Sequence, residues 1–454
     1  MKKMYLSEIC EAINGDIYPK GSEGEIESIC IDSRLAKEGS LFFALLGENT
    51  DGHLYLPMAY EKKAVAAVTE RIISDCPIVQ IVVKNTLEAL RALAQYYRNK
   101  FNIPFVGVTG SSGKTTTKDL IASVLSQKYK THKTEGNSNS ITGVPLTLFE
   151  LEDDCEISVI EMGMDSPGEI LANARIVRPE TAVITNIGMC HIEYLKTRQA
   201  IYEAKCEIFA FMEKGNTAMV NGEDDYLSKL TSDKYDVVKF GISSGDYRAY
   251  DIVQSEKGVC FKTDINGRAE SFGFRLPGIH NVINCMLAIG VGLKYELDAQ
   301  MIQKGFDSFE SSENRMKQIE IKGMTLINDS YNANPDSMKA SFDFLSHKKG
   351  LRKVLIAGDM LELGEYAEKM HCETGRAAAQ FGIDFAVYCG EYGKSFKEGY
   401  NGNNGVGECV LFTDAAKLAK ALPGLLKQGD TALFKASHAI GLDRVFEEFI
   451  ERLR

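Results

Sequence analysis

The 454-residue chain contains no apolar run approaching the ~20 residues that cross a bilayer, so no membrane-spanning helix is expected. It has no basic excess: 52 Lys and Arg stand against 63 Asp and Glu, a net charge of −11. That balance argues against general nucleic-acid binding. It leaves room for a polyanionic small substrate, because local cations outweigh a distant global field. Among 11 cysteines there is no C-x-x-C pair, which argues against a structural zinc site or a disulfide framework and fits a reducing, cytoplasmic compartment. Met1-Lys2-Lys3 begins like a secretion signal, but Glu8 and Glu11 interrupt the next segment and no apolar core develops. There is no convincing internal repeat and no G-x-G-x-x-G fingerprint.

What is present is ordinary globular material, 44% hydrophobic and 25% charged, in a chain too long for one core. Three α/β domains are expected. Residues 1–84 read as a small α/β domain, with strands near 26–31, 41–45, 64–68 and 78–83 and a helix at 57–63. Two polar clusters come just after its strands, Asp32-Ser33-Arg34 and the segment 47–53, where binding loops usually lie. Residues 85–310 open with a helix at 86–100 and then alternate strand and helix, the rhythm of a doubly wound, mostly parallel sheet, with antiparallel character at 247–274. A polar linker at 309–314 precedes a third domain, 311–454, whose renewed alternation resembles a dinucleotide-binding (Rossmann-like) sheet.

The central domain begins with the most informative stretch. A buried-strand pattern, Ile103 to Val108, runs into Thr109-Gly110-Ser111-Ser112-Gly113-Lys114-Thr115-Thr116, and helical sequence continues from about Lys118 to Tyr129. Strand, small-residue turn and helix N-terminus make an anion site, where backbone N–H groups and the helix dipole meet phosphate oxygens. Lys114 is placed to reach terminal phosphates and the Thr115 hydroxyl to ligate Mg²⁺. Val108 stands where the usual Walker A glycine would be, so the motif is the shorter T-G-x-x-G-K-T-T.

Other candidates sit after strands, where ligands collect in such sheets. Glu161 ends an apolar run and suits Mg²⁺, a hard cation that prefers oxygen. His191, in Asn186-Ile187-Gly188-Met189-Cys190-His191, lands on the same face, with metal contact and a structural role equally open. Asn137 and Asn139 lie in a Gly-flanked loop and read either as substrate contacts or as turn formers. In the third domain Asp329, Tyr331, Asn332 and Asn334 come after a strand, Arg315 after the linker, and Lys435-Ala436-Ser437-His438 after the last strand. Together they suggest a cleft between domains. Lys205, in a helical segment, reads locally as a solvated lysine.

The order T-G-S-S-G-K-T-T (109–116), E-M-G (161–163), N-I-G-x-x-H-I-E (186–193), A-K-x-E-I-F (204–209), G-x-H-N-x-x-N (278–284) and Y-N-A-N-P-D-S (331–337) resembles the Mur ligases of peptidoglycan synthesis. The resemblance spans all three domains. Y-N-A-N-P and Gly358-Asp359-Met360-Leu361-Glu362-Leu363-Gly364 point to the branch that adds D-alanyl-D-alanine to UDP-N-acetylmuramoyl-tripeptide through an acyl phosphate. It implies ATP phosphates on Gly110, Ser111, Ser112, Gly113, Lys114, Thr115 and Thr116, and catalytic roles for Lys114, Glu161, His191 and Lys205. It also implies one Mg²⁺ on Thr115 and Glu161, a second near His191, and a CO₂-derived carbamate on Lys205 acting as a metal or phosphate partner. Asn281 would contact adenine, with Arg315 and Asp329 on the nucleotide; Asp32, Ser33 and Arg34 would belong to the UDP-substrate domain, and Asn137, Asn139, Tyr331, Asn332 and Asn334 to the substrates. The family's N-x-N-N reads Asn137-Ser138-Asn139-Ser140 here, and its K-G-S-R reads Lys435-Ala436-Ser437-His438. The expected working unit is a monomer without nucleic-acid or membrane partners. The rival readings are a folate polyglutamate ligase, a P-loop hydrolase or switch, and a non-catalytic scaffold.

Overall fold

Five-residue strands that bury every side chain, such as Phe105–Thr109 and Ile157–Glu161, have no solvent face. They belong inside a parallel sheet covered by helices on both sides. The computed structural model, which describes residues 1–47, 50–310, 316–402 and 407–454, has three such α/β sheets. Arg315, linker residues 311–314, Glu48 and Asn49 of the second polar cluster, and residues 403–406 lie outside the described residues.

The first sheet is five-stranded, with Ser28–Cys30, Ser40–Phe43, Ala66–Thr69 and Val79–Val82 parallel and Asp16–Tyr18 antiparallel at one edge. The second is nine-stranded. Thr131–Lys133, Ile157–Glu161, Phe105–Thr109, Thr181–Ile184, Thr217–Asn221, Asp236–Gly241 and Tyr247–Ser255 run parallel in that order. Gly258–Ile265 and Arg268–Phe274 then continue it antiparallel, as the alternation at 247–274 predicts. Phe105–Thr109 lies between the strand that ends at Glu161 and the strand that precedes Asn186. The chain leaves it toward one side of the sheet and later returns on the other, the arrangement that opens a crevice at strand ends. The third sheet is six-stranded, ordered Lys317–Ile321, Met324–Asn328, Asp430–Lys435, Arg352–Gly358, Phe385–Cys389 and Glu408–Phe412, and only its first pairing is antiparallel.

Two differences from the sequence expectation have simple causes. The helix expected near Lys118 begins at Lys114, because Gly113, at φ +77°, turns the chain straight into it. Its first turn, Lys114 to Thr117, is polar and carries no periodic signal. The strand Lys317–Ile321 has no exposed-to-buried contrast strong enough to be read from sequence, being a mostly polar edge. Thr86–Arg98 ties the first sheet to the second: Tyr97 Oη donates to Leu151 O at 2.8 Å and Arg98 Nε to Val177 O at 2.9 Å.

Candidate active site

The phosphate-binding loop is built against the segment just after Thr181–Ile184. Gly110 is required there, since a Cβ would lie 1.9 Å from Thr185 Oγ1. Thr185 Oγ1 donates to Ser112 O (2.6 Å), and Asn186 Oδ1 accepts from the backbone N–H groups of Ser111 (3.1 Å) and Ser112 (2.9 Å). Asn186 Nδ2 donates to Ser112 Oγ (2.8 Å), and the Gly188 N–H donates to Ser111 Oγ (2.8 Å). Lys114 Nζ donates to Gly110 O at 2.9 Å, at the mouth of its own loop. Asn186 therefore holds the loop in shape, a role its N-I-G motif hinted at but sequence reasoning did not assign.

Glu161 is fully buried. Its Oε1 accepts from Asn139 Nδ2 (2.7 Å) and Thr115 Oγ1 (3.3 Å), and its backbone N–H donates to Thr134 Oγ1 (3.0 Å). Its Oε2 is buried without a hydrogen-bond partner. A buried carboxylate oxygen left unpaired is costly unless a cation meets it. The oxygen donors of Glu161 and Thr115 side by side match the ligand preference of Mg²⁺. Asn139 also donates to Asn137 Oδ1 (2.8 Å), so both loop asparagines are drawn toward this carboxylate.

His191 adopts a left-handed backbone, φ 61°, and sets Nδ1 2.5 Å from Glu362 Oε2 and 3.6 Å from Asp165 Oδ1. Burial opposes its charge, but Cys190 and Glu362 outweigh burial and raise its pKa to about 9. At 2.5 Å the two atoms stand closer than ligands sharing a metal, so the contact is an ion pair. Glu362 comes from the third sheet, and the Glu193 N–H donates to Glu362 O at 3.1 Å beside it. The Asp359–Gly364 run was legible only as a family marker; its contact with His191 was missed.

Lys205 is not the solvated lysine its local sequence suggests. It is 1% exposed on the helix Arg198–Cys206, and its Nζ has no ion pair or hydrogen bond among the described residues. Burial, then the Lys114 charge, lowers its pKa to about 7 against a small opposing effect of Cys190.

The opposite wall comes from the third sheet. Asp329 Oδ2 accepts from Lys435 Nζ (2.6 Å) and Ser341 Oγ (2.7 Å), and Lys435 also donates to Asn332 O (3.1 Å). Asn334 caps the helix Pro335–Ser346 by accepting from the Ser337 N–H (2.8 Å), and its Nδ2 reaches Ser111 O across the cleft at 3.4 Å. The Tyr331 ring lies 6.2 Å from that of His438, which brings the Lys435–His438 loop to the same place. Asn281 donates to Pro277 O (2.8 Å), while Asn284, donating to Asn281 Oδ1 (3.3 Å), accepts from Thr117 Oγ1 (3.1 Å) and so links the helix Ile279–Lys294 to the phosphate-loop helix. One cleft of about 400 Å³ is lined by Lys114, Thr115, Asn137, Asn139, Glu161, His191, Asn281, Asp329, Tyr331, Asn332, Asn334 and Lys435. Asp32, Ser33 and Arg34 are not part of its lining. They form a turn in which Asp32 accepts from Arg34 Nη2 at 2.6 Å.

Residues 25–98, 108–292 and 314–438 match family models described, in turn, as the Mur ligase family catalytic domain, the Mur ligase middle domain and the Mur ligase glutamate ligase domain. The chain is 35% identical over 456 residues to the UDP-N-acetylmuramoyl-tripeptide–D-alanyl-D-alanine ligase of Bacillus subtilis, covering 99% of each chain. Among solved structures it resembles MurF from Acinetobacter baumannii, with a TM-score of 0.91, 30% identity and 99% of each chain covered. It also resembles the MurF ligase of Thermotoga maritima in complex with ADP, with a TM-score of 0.82, 28% identity, 94% of this chain and 98% of that chain covered.

Proposed function

The chain belongs to the Mur ligase family, and we infer that it is the ATP-dependent ligase that joins D-alanyl-D-alanine to UDP-N-acetylmuramoyl-tripeptide, giving the UDP-pentapeptide of peptidoglycan synthesis. The observation that carries this reading is the cleft, which sets a phosphate-binding loop and a half-paired buried carboxylate opposite a Y-N-A-N-P loop, on a chain matching such ligases from end to end.

A carboxylate is a poor electrophile, so the tripeptide's terminal carboxylate first takes the γ-phosphoryl group of ATP. The dipeptide amine then attacks the acyl phosphate and phosphate leaves. Such chemistry needs positioning and charge neutralisation more than covalent help from the protein. The loop Gly110–Gly113 and the first turn from Lys114 to Thr116 hold the phosphates, and Lys114 exchanges Gly110 O for the terminal phosphate. Thr115 and Glu161 hold Mg²⁺, with Asn139 and Thr134 fixing the carboxylate. When bound, the metal neutralises phosphate charge. Asn281 and Asp329 take the nucleotide, together with Arg315. Asn137, Tyr331, Asn332 and Asn334 face the peptide substrates, and Asp32, Ser33 and Arg34 take the UDP end. Asn334 and Glu362 bridge the two walls, and a bridged cleft excludes water from the acyl phosphate. We divide the chain into a UDP-substrate domain (1–84), an ATP domain (85–310) and a ligase domain (311–454). No helix among the described residues is long and apolar enough to cross a membrane. We propose that the reaction runs in the cytoplasm, where ATP is supplied.

Lys205 adds CO₂ as a carbamate in this reading: the amine nitrogen bonds to carbon and releases a proton. Burial without a counter-ion, and a pKa near 7 that exposes the neutral amine, support it. The product carries a carboxylate-like charge that His191 and a second Mg²⁺ would meet. A carbamate carbon resonance from ¹³C-bicarbonate, absent in Lys205→Arg, is the expected signature.

The test of the function is phosphate release from ATP and Mg²⁺ with each substrate alone and with both. Release only with both, and a UDP-pentapeptide by mass, is expected. Release without the dipeptide would favour the hydrolase reading.

A further inference from the structure

Every carboxylate lining the cleft but one has a partner. Glu161 is held by Asn139 and Thr115, Asp329 by Lys435 and Ser341, and Asp165 lies beside His191. Asp336 lines the same cleft and, among the described residues, has no ion pair and no side-chain hydrogen bond. It is also pressed against the phosphate-loop wall: a Cβ on Gly188 would lie 1.9 Å from Asp336 Oδ2 and 3.2 Å from Ser111 Cβ. The glycine thus leaves room for a carboxylate carried by the other wall.

An acid in the first turn of a helix is favourable by itself. That does not explain this placement. The helix Pro335–Ser346 is already capped by the reciprocal Asn334–Ser337 pair, and an outward-facing acid would serve the dipole equally. A free carboxylate at the rim of a polyphosphate site repels the ligand unless a cation stands between them. Glu161 and Thr115 supply the metal position deeper in the opposite wall. The metals of the ligase reading belong to the central wall, one on Thr115 and Glu161 and one beside Lys205 and His191; the cation left for the facing wall is the ammonium of the amine substrate, which must come to rest beside the activated carboxyl.

We propose that Asp336 receives the amino group of the incoming dipeptide and sets its nitrogen toward the acyl phosphate. The assignment rests on the ligase reading above and deepens it by naming where the second substrate binds.

The test compares wild type with Asp336→Asn and Asp336→Glu in steady-state assays, varying each substrate in turn. In Asp336→Asn the KM for D-alanyl-D-alanine should rise about 10- to 100-fold, the range for losing a hydrogen bond to a charged group. KM for ATP and for the UDP-tripeptide should stay within about twofold, and Asp336→Glu should recover part of the loss. Acyl phosphate formation without dipeptide, trapped with hydroxylamine, should continue at the wild-type rate. D-lactyl-D-alanine, which carries a neutral hydroxyl in place of the ammonium, should inhibit wild type and Asp336→Asn equally. An unchanged dipeptide KM would overturn the proposal. So would a raised ATP KM or a raised Mg²⁺ requirement, which would put the carboxylate on a metal instead. Wild-type phosphate release that ignores the dipeptide would overturn the ligase reading and this assignment with it.

Discussion

Glu161 and Asp329 both stand at the end of a buried strand and face the same cleft from opposite walls, but only Asp329 brings its own counter-ion. Lys435 and Ser341 complete Asp329, whereas Glu161 has two neutral donors on one oxygen and nothing on the other. Burying a charge is tolerable when it is paired. Asp329 is therefore completed by its own wall, and Glu161 is left to be completed by what the cleft binds. On the ligase reading the half-paired acid would hold the metal, and the paired acid anchors its loop where it faces the nucleotide.

The largest test of this contrast removes charge from the central wall. Lys114→Ala should lower turnover at least about 10²–10³-fold, the cost of losing one preorganised stabiliser of developing charge, and near-normal phosphate release would sink its role. Glu161→Gln should cost activity on the same scale. Its melting temperature should hold or rise, since an amide needs no cation, and a clear fall would show that Glu161 is completed from within the protein. At Asp329 the pattern should invert. Lys435→Met strands Asp329 and should destabilise by about 3–5 kcal/mol, while adding Asp329→Asn should restore part of it in chemical denaturation. If the double variant is no better than the single, the pair is not what stabilises this wall.

Another incompletely paired group lies on the edge strand next to Glu161's strand. His132 Nε2 is buried without a partner, and burial lowers its pKa to about 4. The unfolded chain, titrating near 6.5, binds the proton first, so stability should fall as pH drops from about 6.5 toward 4. His132→Gln should flatten that slope in melting curves taken across the window. The smallest effect expected is Asn334→Ala. Loss of the cap should cost about 1 kcal/mol, with a shift in melting temperature but no change in metal dependence.

Much of this was readable without coordinates. The T-G-S-S-G-K-T-T loop, with a buried run before it, specifies a strand–turn–helix by local sterics. Glu161 and Asp329 are recognisable because strands point their last residues at the crevice. The antiparallel turn of the central sheet showed as period-two alternation at 247–274. Contacts between segments distant in sequence were not readable. Lys205 looks solvated on its own helix yet is buried in the fold, where the Lys114 charge, from a distant segment, acts on it. Glu362 was a family marker until the third sheet carried it to His191, 171 positions earlier in the chain. Asp336 stood in the sequence only as part of Y-N-A-N-P-D-S, and no local pattern placed Gly188 against it.

The alternating α/β architecture, the T-G-S-S-G-K-T-T loop and the membership of a ligase family can be read from residues alone, because they rest on local periodicity and contiguous motifs. Which acids are paired, which lysine is buried and which carboxylate faces that loop from the far wall depend on the folded chain. Charge pairing and desolvation depend on what surrounds a group in space, and neighbours far apart in the chain leave no local pattern.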